Sequence, residues 1–178
     1  LRLKALTDQE ARASTLREMA EVLDGQLNKP GEAESALLRA LEEAPEDASL
    51  HAEVVRLAAA QAVDESDKSL EGFRRYATVL EELAGKALDA QVARGLWVRL
   101  GEIAENRLKD DARAASAYAK ALEHAAGDDS ESSILAALDP LYERLSNHKE
   151  LAEVLERRVA FGSDGEQAEL QYRLGKLH

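Results

Sequence analysis

The sequence has no cysteine in its 178 residues, so it holds neither a disulfide framework nor a thiolate metal site. That leaves the compartment open between the cytoplasm and an oxidising space. Its uncharged apolar runs fall far short of the ~18 residues that a membrane span requires, and no span is expected in this segment. Positive charge is scarce: 23 Lys and Arg face 35 Asp and Glu, a formal net charge of -12. Such a surface repels a phosphate backbone unless a basic stripe compensates. None is present, and the doublets Arg74-Arg75 and Arg157-Arg158 read as solvated helix faces, so nucleic acid is not an expected partner.

Catalytic signatures are missing as well. No phosphate-binding glycine loop, dinucleotide fingerprint, His-Glu-x2-His zinc helix or nucleophile elbow occurs. The histidines, His51, His124, His148 and His178, lie far apart and read as surface or cap residues. Acidic neighbours such as Glu42-Glu43 and Glu81-Glu82 point about 100° apart on a helix and cannot share a substrate atom. No catalytic, metal-ligating or cofactor-binding residue is therefore expected, and no enzyme activity. Trp97, the single tryptophan, opens an apolar series and is expected in the core, as are Phe73 and Tyr76.

What the chain does contain is Ala, Leu, Glu and Arg. Apolar residues make up 45% and charged residues 33%, while aromatics contribute 4%, which fits helices with charged outer faces. Apolar residues recur at three and four, and the spacing predicts helices over about 8–26, 29–44, 48–63, 67–84, 87–108, 111–126, 130–146, 148–162 and 165–178. Capping boxes are expected at Thr7 with Glu10, Asp128 with Glu131, Asn147 with Glu150, and Ser163 with Glu166. Pro30 suits a first turn, and Gly85 a helix end. The series Leu135, Leu138, Leu141, Leu145 runs straight through Pro140, which predicts one kinked helix rather than two.

Internal repetition organises these helices. Ala33-Glu-Ser-Ala-Leu-Leu-Arg-Ala-Leu-Glu-Glu-Ala44 recurs as Ala114-Ala-Ser-Ala-Tyr-Ala-Lys-Ala-Leu-Glu-His-Ala125, and Leu96-Trp-Val-Arg-Leu-Gly-Glu-Ile103 recurs as Leu170-Gln-Tyr-Arg-Leu-Gly-Lys-Leu177. One helix patterned Trp97-x2-Leu100-Gly101 is followed by another patterned Ala114-x3-Tyr118-x2-Ala121; Leu16-x2-Met19-Ala20 is followed by Ala33-x3-Leu37-x2-Ala40-x4-Pro45. Leu135-x2-Leu138-x3-Tyr142 with Leu151-x3-Leu155 is a further copy, and Gln171-x2-Leu174-Gly175 opens another. These patterns resemble tetratricopeptide repeats, which alternate first and second helices of this kind. The pair from about His51 to Leu83 departs most, with Val55 where the family has a small residue.

The resemblance implies an all-α fold, a right-handed superhelix (solenoid) of antiparallel helix pairs spanning 1–178. Its pairs fall at about 8–44, 48–84, 87–126 and 130–162, with a further first helix at 165–178. Its core is expected to include Met19, Leu23, Ala33, Leu37, Ala40, Trp97, Leu100, Ala114, Tyr118 and Ala121. A chain that begins at Leu1 and ends inside a helical pattern is expected to be a piece of a longer array, able to self-associate through its ends.

The implied function is a scaffold or adaptor that holds a partner peptide or helix in a groove lined by first helices. The resemblance places Glu21, Arg56, Glu102, Pro140 and Lys176 five positions, and Asp24, Ala59, Glu105 and Glu143 eight positions, after the start of each first-helix pattern. Arg17, Val98 and Tyr172 belong to the same expected face. Its acids predict a partner with basic residues. The alternative is a spacer that self-associates with no peptide groove in use.

Overall fold

The computed structural model describes residues 8–62, 69–125, 129–161 and 164–177, and these are all-α, with nine helices and no strand among the described residues. The helices are α1 (Gln9–Gly25), α2 (Pro30–Glu43), α3 (Ala48–Gln61), α4 (Glu71–Lys86), α5 (Ala90–Ile103, continued by a π-turn over Ala104–Leu108), α6 (Asp111–Glu123), α7 (Asp129–Arg144), α8 (His148–Phe161) and α9 (Asp164–Leu177). They divide into two compact units, Leu1–Lys86 and Ala87–His178.

Aspartates start four of the helices by accepting first-turn N–H donors that have no partner within the helix. Asp8 accepts from Glu10 N at 3.1 Å, Asp47 from Ser49 N at 2.8 Å, Asp89 from Gln91 N at 2.7 Å, and Asp110 from Arg113 N at 2.9 Å. Asp8 thus fills the cap that the sequence pattern assigns to Thr7; Thr7, Asp128 and Ser163 lie outside the described residues. Pro30 opens α2 as expected, and α7 runs as one helix through Pro140.

One turn recurs. Asn28, Lys109 and Ser146 are the only described non-glycine residues with positive φ, and each sits between a first helix and its second. In the first two the next residue closes the same bond, Lys29 N to Leu23 O at 2.8 Å and Asp110 N to Ala104 O at 2.9 Å. These two turns therefore share one backbone geometry.

In the first unit, α1 turns Ala13, Leu16 and Ala20 inward, and α2 turns in Ala33, Leu37, Ala40 and Leu41. Small side chains here let helix axes approach closely. α3 and α4 add Leu50, Val54, Leu57, Phe73, Tyr76 and Leu80, all buried. In the second unit Trp97, Leu100, Ala114, Tyr118 and Ala121 are buried as expected, with Leu135, Leu138, Leu151 and Leu155 beyond them.

Three expectations need correction. Met19 is 39% exposed and Leu23 half-buried, because α2 covers the stripe Ala13, Leu16, Ala20, and Met19 lies on an adjoining one with Val22. A 3-4 spacing marks both stripes and cannot say which one a neighbour reaches. His51 is not a surface residue: it is buried, with Nε2 2.8 Å from the Pro45 carbonyl and Nδ1 2.7 Å from Tyr76 Oη. A carbonyl only accepts, so Nε2 carries the proton and Nδ1 accepts from the tyrosine.

Candidate functional site

In the first unit, Arg17, Glu21 and Asp24 follow one another at i, i+4 and i+7 along α1, and Ser49, Glu53 and Arg56 do the same along α3. The two rows meet. Arg17 donates to Ser49 Oγ at 2.9 Å and to Glu53, while Arg56 donates to Asp24 at 2.8 Å. Because the early residues pair with each other and the late ones do likewise, α1 and α3 run parallel. Arg12 near the start of α1 bonds Glu43 at the end of α2 at 2.6 Å, so α2 runs antiparallel between them.

The second unit repeats this scheme. Arg144 at the end of α7 donates to Glu105 at 2.9 Å, in the π-turn that ends α5, and to Asp111 at 2.7 Å, at the start of α6. Arg173 on α9 donates to Asp139 on α7 at 2.6 Å and to Glu143 at 3.2 Å. Asp139 is only 3% exposed and also accepts from Arg158 of α8, so a single carboxylate joins three consecutive helices. Lys176 stacks over Tyr172, 4.3 Å from the ring centroid.

Part of the negative charge on the sequence-predicted face is paired within the chain. Asp24, Glu105 and Glu143 each accept from an arginine on the next first helix. Glu21 and Glu102 are exposed and form no ion pair among the described residues, and Val98 is half-buried. Arg17, Arg56, Tyr172 and Lys176 lie at the surface of their helices. Pro140 lies within α7.

Partly exposed ion pairs of this kind contribute about 0–1 kcal/mol each, so they orient neighbouring helices more than they stabilise them. Their mark on titration is clear even so. The Arg144 hydrogen bond holds the Asp111 carboxyl below the usual aspartate range, and the same bond raises the guanidinium. Tyr118 is pushed up to about 12, first by burial and then by the negative charges of Glu102 and Glu105.

Arg144, Arg173, Glu53 and Asp139 are the members of these ion pairs that sequence reasoning did not single out. A signal for them exists: the partners Arg17 and Ser49, Asp24 and Arg56, Asp111 and Arg144, and Asp139 and Arg173 are separated by 32, 32, 33 and 34 residues. That is about the length of one helix pair. In three of these four pairs, opposite charges about one helix pair apart stand side by side.

No protein-family model matches the chain, and no curated protein matches it. Function therefore rests on the residues themselves.

Proposed function

We propose that the chain is a protein-interaction module of tetratricopeptide-like helix pairs, which holds a segment of a partner polypeptide along the face shared by its first helices and performs no catalysis of its own. The observation that carries this reading is the row of arginine–carboxylate pairs between successive first helices, α1 with α3, α5 with α7, and α7 with α9. Within each unit these pairs hold two or more helix surfaces side by side, as a rigid platform for an extended or helical segment would require. The recurrent turn at Asn28 and Lys109 and the close seating of Tyr118 on Gly101 support the repeat assignment.

The partner segment carries Lys or Arg. Glu21 and Glu102 are exposed with no ion-pair partner among the described residues, and the net charge of -12 draws basic chains toward the surface. Charge reversal tests this at Glu21 and Glu102; Glu105 is unsuitable because its reversal would break the Arg144 contact. Glu21→Lys with Glu102→Lys should weaken binding to the partner recovered by affinity capture and flatten its salt dependence. Unchanged affinity and an unchanged salt slope would remove this face from consideration.

A further inference from the structure

Tyr118 of α6 packs on α5 at the one place in that turn where the helix has no side chain. A Cβ built at Gly101 would stand 2.7 Å from the ring carbon Cζ and 2.7 Å from Cε1, so the hydroxyl-bearing end of the ring rests on the Gly101 backbone. Only glycine permits so close an approach. Glu102 follows Gly101 directly, and Glu105 stands about one turn further on, in the π-turn. Both carboxylates bear on the hydroxyl, since their negative charges, after burial, push Tyr118 up to about 12. The residue is 5% exposed, yet its hydroxyl forms no hydrogen bond among the described residues. A hydroxyl buried to this degree ordinarily has a partner.

The cations of this region lie on other groups. Lys120 sits over the Trp97 ring, 4.2 Å from its centroid, one turn before Gly101 on α5. Arg144 donates to Glu105 Oε1 at 2.9 Å and to Asp111 at 2.7 Å. Glu102 is exposed and forms no ion pair among the described residues. Three acceptors therefore remain on three separate side chains: the Glu102 carboxylate, the second oxygen of Glu105 and the hydroxyl oxygen of Tyr118. A lysine ammonium carries three N–H donors on one compact atom and suits acceptors that come from separate side chains. The flat fork of arginine suits the paired oxygens of a single carboxylate, and Arg144 already occupies one oxygen of Glu105.

We infer that Glu102, Glu105 and Tyr118 Oη form a seat for a lysine ammonium of the partner segment. This rests on the reading of the first-helix face as a docking face and deepens it. The seat adds a residue from a second helix, and it selects lysine over arginine, which the net charge alone does not.

Pentalysine and pentaarginine, each blocked at both ends, are the probes, titrated at low salt into the whole chain with its tyrosine rings isotopically labelled for NMR. Pentalysine should shift the Tyr118 ring resonances saturably. Tyr118→Phe removes an oxygen and no charge; it should weaken pentalysine binding by about fivefold to tenfold and leave pentaarginine binding within about twofold. The hydroxyl holds no other group of the described residues, so the variant should keep its fold, which a thermal melt checks. Tyr118 resonances that stay unmoved up to about 1 mM pentalysine overturn the inference, as does an equal loss for both peptides or no loss for either. The charge-reversal test on the recovered partner fails separately. If Glu21→Lys with Glu102→Lys weakens that partner but Tyr118→Phe does not, the face keeps its role and the seat is overturned. If charge reversal leaves the partner unaffected while pentalysine still depends on Tyr118, the face reading falls and the lysine seat stands.

Discussion

Each unit buries one acid among three consecutive helices, and the two acids are treated differently. Asp139 in the second unit uses both oxygens: Oδ1 accepts from Arg173, and Oδ2 accepts from Arg173 and Arg158. Glu34 in the first unit is 0% exposed but uses one. Its Oε2 accepts from Arg75 at 2.8 Å and Gln61 at 3.0 Å, while Oε1 and the Arg75 Nε are buried without a hydrogen-bond partner among the described residues. A charge buried with full compensation holds its neighbours in place, whereas a half-compensated one retains a desolvation cost that its contacts do not offset. The difference teaches that burial of an acid does not measure what the acid contributes; the count of satisfied lone pairs does.

Neutral isosteres break this comparison most sharply. Asp139→Asn would turn an amide NH2 toward an arginine and should cost about 3 kcal/mol. Glu34→Gln keeps an oxygen for Arg75 and Gln61, loses only a charge that is poorly paired, and should cost about 1 kcal/mol or less. Denaturant unfolding gives the two values, and amide exchange shows which unit has loosened. Equal costs would mean that the unpaired Oε1 has no energetic consequence.

The glycines offer the next contrast. Gly101→Ala drives a methyl into the Tyr118 ring and should cost about 2 kcal/mol, a typical overpacking penalty. Gly175→Ala meets open space on a helix and should stabilise by roughly 0.5–1 kcal/mol through helix propensity alone. Thermal melts of the two variants check the opposite signs.

Acid titration resolves the smallest difference. Asp47 in the first unit is held low chiefly by the Ser49 hydroxyl, and Asp111 in the second chiefly by Arg144. A depressed folded pKa stabilises the fold above the unfolded value near 4 and loses that contribution as the pH falls through the folded value. Added salt should weaken the Asp111 share, which depends on an exposed cation, and leave the Asp47 share nearly intact. Carboxyl titrations followed by NMR at low and high salt would show this, and equal salt responses would refute it.

Most of the fold was legible because helix periodicity and short loops act locally. Ala33, Leu37, Ala114 and Tyr118 were marked by a pattern that tertiary contacts then kept. Met19 was misplaced because an amphipathic pattern marks apolar residues without saying how many neighbours a helix has. His51 was misread because its two partners, Pro45 O and Tyr76 Oη, come from a loop and another helix. On the candidate face the acids were read along each helix, whereas the arginines that pair with Asp24, Glu105 and Glu143 stand about one helix pair away in sequence and follow from no periodicity within a helix.

Trp97, the only tryptophan, lies in the unit Ala87–His178, under the Lys120 ammonium. The other unit has no tryptophan. The molecule therefore contains a native optical label for one half of itself. Tryptophan fluorescence follows the second unit alone while far-ultraviolet dichroism follows both, so any gap between the two melting curves reads directly as the independence of the halves, with no dye and no engineered residue.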